Sequence, residues 1–140
     1  MGTEVDDFLA EMLPKQVAAA RALHNGDVEL WLALWSRTDP LTLYGSGPLS
    51  GTGWDELNPR FHTLASWFSD SPEYDFEVVA AGASGDLAYT VGYEHNRVKV
   101  EGEPQSYTLR VTHVYRREDG QWRIVHEHSN WEPDESESGE

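Results

Sequence analysis

The sequence contains no cysteine, which excludes disulfide bonds and thiolate metal sites. It is also poor in positive charge, with only 10 lysines and arginines against 25 acidic residues and a formal net charge of −15. The lysines are Lys15 and Lys99. Nucleic acids and anionic membrane surfaces both bind basic patches, so this balance argues against both as partners.

Long hydrophobic runs are also missing, since no segment approaches the roughly 20 apolar residues that a membrane-spanning helix needs. The first twelve residues, MGTEVDDFLAEM, are acidic and differ from a basic signal region. We therefore expect a cytoplasmic protein. The length of 140 residues predicts one domain over residues 1–131. The remaining segment, 132–140, has the composition of a disordered acidic tail.

The first third of the chain has helical periodicity. Apolar residues at three- and four-residue spacing predict a helix over residues 4–24, with a kink or restart at Pro14. Gly26 is expected to end this helix, and Asp27 is expected to cap a second helix over residues 28–35.

A glycine-rich segment, residues 45–53, separates a short predicted strand, 41–44, from a third predicted helix, 54–68. The segment lacks both the dinucleotide-binding and the P-loop phosphate motifs. We interpret it as a connecting turn, and we expect no cofactor.

From Tyr74 onward the periodicity changes to two, as in β-strands. Strands are predicted over 74–81 and 87–97, followed by a hairpin over 105–131. The order of elements indicates an α+β fold in which helices cover one face of a curved antiparallel sheet.

The terminal hairpin turns at Glu118-Asp119-Gly120, and both of its arms have two distinct faces. Pairing the apolar faces with each other places Arg110 and Glu127 together on the opposite face. This register requires a bulge beside Gly120, whereas a strict three-residue loop would set Thr112 against His126.

Four segments carry a resemblance to a known family: HNGD at 24–27, SGDLAY at 84–89, LRVT at 109–112 and WRIVHEH at 122–128. With the order of elements, they make the chain similar to the SnoaL-like branch of the nuclear transport factor 2-like superfamily. The resemblance implies a cone-shaped curved antiparallel sheet wrapped around N-terminal helices. It also implies a pocket between sheet and helices, and a homodimer formed through the sheet. Fold alone does not imply function.

Ketosteroid isomerases belong to this superfamily and use an aspartate base with an oxyanion hole of a tyrosine and a protonated aspartate. The corresponding positions in this sequence fall near Tyr44, Ala19 and Thr112. None carries the required group, so steroid isomerisation by that mechanism is not expected.

The predicted site depends on the polar face of the hairpin. Arg110 is interpreted as an anchor for a small organic anion, oriented by Glu127, or Glu127 acts as a general base. The alternative is a structural ion pair within the sheet. Further predicted ligand-binding residues are Thr112, Tyr44, Trp31, Trp54 and Arg123.

The other face of the hairpin is predicted to form the dimer interface. It comprises Leu109, Val111, His113, Tyr115, Trp122, Ile124, His126 and His128. Histidines at alternate strand positions can bind zinc, but the apolar neighbours here favour an interface and no metal. Association could then depend on pH.

Two functions remain open on the sequence: a small-molecule-binding domain, or a lyase, isomerase or cyclase that uses a pocket carboxylate or histidine as base. An oligomerisation module is a third possibility. A pocket carboxylate within hydrogen-bond reach of a second titratable group would favour the enzyme. A pocket lined by Arg110 and aromatic residues would favour binding alone.

Overall fold

The computed structural model describes residues 3–45 and 49–132 and contains three helices and six strands. The helices are α1 (Glu4–Leu23), α2 (Glu29–Leu34) and α3 (Trp54–Trp67). The strands are β1 (Thr42–Tyr44), β2 (Ser50–Thr52), β3 (Phe68–Ser84), β4 (Leu87–Val100), β5 (Glu103–Glu118) and β6 (Gln121–Trp131). The predicted α+β class is confirmed, and the predicted elements occur in the predicted order, with the additional strand β2 before α3.

The helix ends follow the local sequence. Thr3 caps α1, because its side-chain oxygen accepts a hydrogen bond from the backbone N–H of Asp6 at 3.1 Å. Beyond α1, Gly26 adopts a φ of 91°, a left-handed conformation that glycine tolerates without strain. Helix α1 runs through Pro14 as a single element, so the predicted restart does not occur.

All strands belong to one sheet, in the order β2-β1-β6-β5-β4-β3. Its neighbouring strands are antiparallel except β1 and β6, which are parallel. The glycine-rich segment is more than a turn, because Ser50–Thr52 forms β2 and pairs with β1. Residues 46–48 of this segment lie outside the described ranges, as do residues 133–140 of the predicted tail.

The terminal hairpin has a two-residue loop and not the predicted three-residue loop. Asp119 and Gly120 both have positive φ, 51° and 76°, which matches the twist of the flanking strands. A bulge does shift the register, but it lies at Val125 and not beside Gly120: Tyr115 pairs with Ile124, whereas Val114 pairs with His126.

This bulge decides which hairpin residues share a face. Beyond it, His113 lies opposite Glu127, and Arg110 lies opposite Asn130. Since side chains alternate along a strand, Arg110 and Glu127 are on opposite faces of the sheet. The predicted register that brought them together is wrong.

The face predicted to be the exposed dimer interface is mostly the inner face, packed against the helices. Phe8 of α1 contacts the rings of Tyr115 and Trp122 edge-on, with centroid distances of 4.8 and 5.1 Å. Most of the predicted interface residues are buried within the chain: Val111, His113, Tyr115, Trp122 and Ile124. Leu109 is partly buried and packs against the same core. For these six residues the predicted outward position is wrong, and only His126 and His128 lie on the outer face.

None of the helices within the described residues is long and apolar enough to cross a membrane.

Candidate functional site

A cavity of about 360 Å³ lies between the inner face of the sheet and the helices. Its volume is near the lower end of the range for small-molecule sites. Its walls are mainly apolar and aromatic, and the larger contributors are Trp31, Leu43, Phe61, Trp67, Phe68 and Leu109. The acidic groups at its wall are Glu94 and Glu127.

The pairing of β6 with its two neighbouring strands places Glu127 at the cavity. Its neighbours on the inner face are Leu43 of β1 and His113 of β5, because β6 runs between those strands. The carboxylate oxygen Oε1 lies 2.9 Å from Nε2 of His113. The His113 side chain is fully buried and that of Glu127 is 15% exposed, so His113 contacts the carboxylate on its buried side.

His113 is itself held by a chain of buried polar groups. Its Nδ1 lies 3.4 Å from the side-chain nitrogen of Gln16 on α1. The amide oxygen of Gln16 accepts a hydrogen bond from the hydroxyl of Tyr115, which is 3.1 Å from the hydroxyl of Thr90. Buried polar groups that satisfy one another in this way hold a single arrangement.

Glu94 is the second carboxyl group of the cavity, and the hydroxyl of Tyr74 donates to it at 3.1 Å. Burial, followed by the charge of Glu127, raises the pKa of Glu94 from 4.5 to about 7. Glu94 therefore exchanges its proton near neutral pH, within the range in which an acid–base group works best.

Three tyrosines and one histidine near the cavity are held in their neutral forms. Burial raises the pKa of Tyr74, Tyr107 and Tyr115, so these hydroxyls remain donors. Burial also lowers the pKa of His24, whose Nδ1 lies 2.6 Å from the carbonyl oxygen of Ala20. That carbonyl accepts only, so His24 carries its proton on Nδ1.

Of the predicted catalytic and ligand-binding residues, Glu127 and Trp31 line the cavity. Arg110 does not: it is exposed on the outer face, and its Nε donates to the side-chain oxygen of Asn130 at 3.0 Å. The predicted contact between Arg110 and Glu127 is absent, because the bulge at Val125 separates their faces.

The other predicted ligand-binding residues also lie away from the cavity. Thr112 pairs with His128 on the outer face, where Tyr44 also contacts the His128 ring. The ring of Trp54 packs under the guanidinium of Arg37 at 3.6 Å. Arg123 donates to the carbonyl oxygen of Ala33 at 3.0 Å. These placements contradict their predicted positions in the pocket wall.

The sequence interpretation missed Glu94, Tyr74 and Gln16. Glu94 could have been found from strand parity, since it shares a face of β4 with the buried residues Ala88, Thr90, Asn96 and Val98. A charged residue on an otherwise buried face is an unusual feature. Gln16 gave a weaker signal, because a single glutamine on an amphipathic helix is usually a surface residue.

A larger and more polar groove, with a volume of about 1130 Å³, adjoins the cavity. Gln105, Tyr107 and Trp131 line both spaces. The rings of Tyr107 and Trp131 meet edge-on, with centroids 4.9 Å apart. These two aromatic residues therefore form the boundary between the groove and the cavity.

Residues 16–130 match the model of the SnoaL-like domain family. Among solved structures, a putative dehydratase of the NTF2-like family from Streptomyces avermitilis is 16% identical, with a TM-score of 0.74 over 92% of this chain and 99% of that chain. A ketosteroid isomerase-like protein from Erwinia carotovora atroseptica is 20% identical, with a TM-score of 0.72 over 92% and 99%.

A putative calcium/calmodulin-dependent protein kinase type II association domain from Thiobacillus denitrificans is 18% identical, with a TM-score of 0.73 over 88% of this chain and 96% of that chain. Among curated proteins, none matches this chain. At these identities the solved structures are similar in fold, and they assign no activity.

Proposed function

We propose a function for this chain on the premise that it belongs to the SnoaL-like domain family of the nuclear transport factor 2-like superfamily. The cavity binds a small organic molecule, and Glu127 removes a proton from a carbon atom of that molecule. The reaction class is that of a lyase, isomerase or cyclase, each of which can begin with such a transfer.

The observation that carries the proposal is the contact between Glu127 and His113 at the cavity wall. It meets the condition that favours an enzyme over a binding domain, which is a pocket carboxylate within hydrogen-bond reach of a second titratable group. The hydrogen bonds described for Glu127 use Oε1, so Oε2 is left to accept a proton from the ligand.

Glu94 supplies the complementary acid. Its pKa of about 7 lets it donate a proton near neutral pH while Glu127 accepts one. A carboxyl group whose surroundings raise its pKa can supply the acid beside a carboxylate that acts as the base.

The charge of the cavity wall supports a neutral or cationic ligand over an anionic one. The described lining includes two glutamates and neither lysine nor arginine. Residues outside the described ranges contain no lysine or arginine either. An anion would enter a poorly solvated space beside carboxylates, with no cation to stabilise it.

A reporter substrate tests the base directly. 5-Nitrobenzisoxazole is uncharged and compact, and a base opens it by taking the proton on C3. The electron pair of that C–H bond forms a nitrile while the N–O bond breaks, and the product is a coloured cyano-nitrophenolate. We expect the wild-type protein to open it faster than an equal concentration of acetate does. We expect Glu127→Gln to lose most of the excess rate while the reporter still binds.

The matched control is Glu77→Gln, which changes a carboxylate that lies 3.0 Å from His95 and is largely exposed. Its rate should equal the wild-type rate. An unchanged rate in Glu127→Gln, or a wild-type rate no higher than that of acetate, would overturn the proposed base. The second result would leave a binding function.

We further propose a homodimer through the outer face of the sheet. Cross-strand rows there place Val91 beside Thr112, and Tyr89 beside Val114. Tyr44, Tyr89 and Val91 are exposed and apolar in character, and an apolar surface of this kind favours association. A pure oligomerisation module would use this face without the cavity, and the reporter assay separates the two.

A further inference from the structure

The hydrogen bonds around Gln16 fix its amide in one orientation. Gln16 is 1% exposed and lies on α1, between Tyr115 and His113 of β5. The phenol of Tyr115 donates to the amide oxygen, so the amide nitrogen faces Nδ1 of His113. An amide nitrogen only donates, which means that Nδ1 must accept.

This orientation determines where His113 carries its proton. If Nδ1 accepts from Gln16, the ring proton is on Nε2, which then donates to Oε1 of Glu127. A second proton on Nδ1 would face the N–H of the amide and lose its hydrogen bond. Gln16 therefore favours the neutral ring over the imidazolium.

The charge on His113 in turn affects the basicity of Glu127. A carboxylate beside an imidazolium is stabilised as an anion and becomes a weaker base. A carboxylate that accepts from a neutral imidazole keeps more of its basicity and its orientation. His113 and Gln16 do not line the cavity, so they act through Glu127.

We propose that Gln16 is a positioning residue that holds His113 as the neutral Nε2–H tautomer and so keeps Glu127 basic. The proposal rests on the proposed function of Glu127. The titratable groups around His113 are Glu127 and His126 of β6, Glu94 of β4 and Tyr115 of β5. The rings of Trp31 from α2 and Phe76 from β3 also face it, at centroid distances of 6.3 and 6.0 Å. On α1, the polar group in contact is Gln16.

The sharpest test is Gln16→Glu, because it changes the hydrogen-bonding character of one atom and keeps the shape. The new carboxylate can still accept from Tyr115, but it also accepts from Nδ1 and so favours the imidazolium. Long-range nitrogen–proton NMR of the His113 ring reports this directly. We expect one protonated nitrogen in the wild-type protein at pH 7 and two in the variant.

The reporter reaction provides the second readout. We expect Gln16→Glu to open 5-nitrobenzisoxazole about tenfold more slowly, and we expect its rate to begin rising at lower pH, because Glu127 ionises more easily beside an imidazolium. Lys15→Gln is the matched control on the exposed side of the same helix and should match the wild type in both measurements.

The outcomes separate the two proposals. A wild-type His113 protonated on Nδ1 would overturn the role of Gln16, whatever the reporter rate. A doubly protonated ring in Gln16→Glu with an unchanged rate would overturn the link from Gln16 to Glu127. The role of Glu127 itself is decided independently by Glu127→Gln. If Gln16→Glu does not fold, the tautomer of the wild-type ring still decides the first point.

Discussion

His113 and His128 lie on the same hairpin, but their surroundings differ completely. His113 is 0% exposed, and both of its ring nitrogens have partners, Gln16 and Glu127. His128 is on the outer face, exposed beside the ring of Tyr44. The residue type is the same, so the face of the sheet is what makes one a buried positioning group and the other a surface residue.

His126 lies between these extremes. It is half-buried on the outer face, and its Nδ1 is 2.6 Å from the hydroxyl of Thr42. Burial, followed by the neighbouring His128, lowers the pKa of His126. The outer face thus has its own polar contacts. Substitutions at matched positions on the inner and the outer face test the contrast between them.

The largest expected effect comes from a charge on the inner face. Ile124 is 0% exposed, so Ile124→Glu would bury a carboxylate without a partner. We expect a loss of about 4 kcal/mol or more in the free energy of unfolding, measured by urea denaturation. Asn130→Glu places the same charge on the outer face beside Arg110, and its stability should be nearly unchanged. Equal losses in both variants would contradict the assignment of the faces.

The next effect depends on pH and arises from Glu94. The pKa of Glu94 is about 7 in the folded protein, whereas the usual value is 4.5. The folded state therefore loses stability as the pH rises from about 4.5 to about 7. Glu94→Gln removes this loss. At pH 8 the variant should be more stable than the wild type by on the order of 3 kcal/mol.

The difference between Glu94→Gln and the wild type should shrink towards zero as the pH falls below 4.5, because Glu94 is then protonated in the folded protein and in most of the unfolded chain. Urea denaturation at several pH values measures this difference. A difference that does not change with pH would show that Glu94 is not the group that titrates.

A smaller effect is expected from a charge on the outer face, which should change assembly and leave folding unchanged. Val91 is exposed on the outer face, within the proposed dimer contact. Val91→Glu should give a monomer in sedimentation at micromolar concentration, because the new charge would be buried in the contact. Its circular dichroism spectrum should match that of the wild type. A wild-type monomer under the same conditions would rule out the dimer.

The smallest effect is expected at Arg110. Its guanidinium is exposed, and its hydrogen bond to Asn130 is at the surface. Arg110→Leu should therefore change the free energy of unfolding by less than about 0.5 kcal/mol and leave the reporter rate unchanged. A large loss of rate would mean that Arg110 reaches the cavity, as the sequence had suggested.

Periodicity was sufficient to predict the helices and most of the sheet. The helix predicted over 54–68 is Trp54–Trp67 in the structure, and the strand predicted from Leu87 begins there. Strand β3 is longer than predicted, because Phe68–Ser69 pairs with Lys99–Val100 although it carries no clear alternation. Tertiary pairing extended this strand beyond its local signal.

The candidate site was predictable only in part. Glu127 was identified from the sequence as a pocket carboxylate, and Trp31 as a pocket wall, and both line the cavity. Arg110 was assigned to the wrong face, and Glu94 was not identified. Strand parity could have placed Glu94 on the buried face. Its contact with the Tyr74 hydroxyl and its interaction with Glu127 each join different strands, so no local pattern indicates these contacts.

What the sequence determined by itself is the alternation of side chains, the helical stripes and the family, because these depend on spacing along the chain. Which face turns inward was decided by the tertiary structure. The single extra residue at Val125 reverses the faces of β6 relative to β5 and brings Glu127 to His113. A shift of one residue moves every side chain to the other face, and the energy that selects it comes from packing against α1, which is remote in sequence.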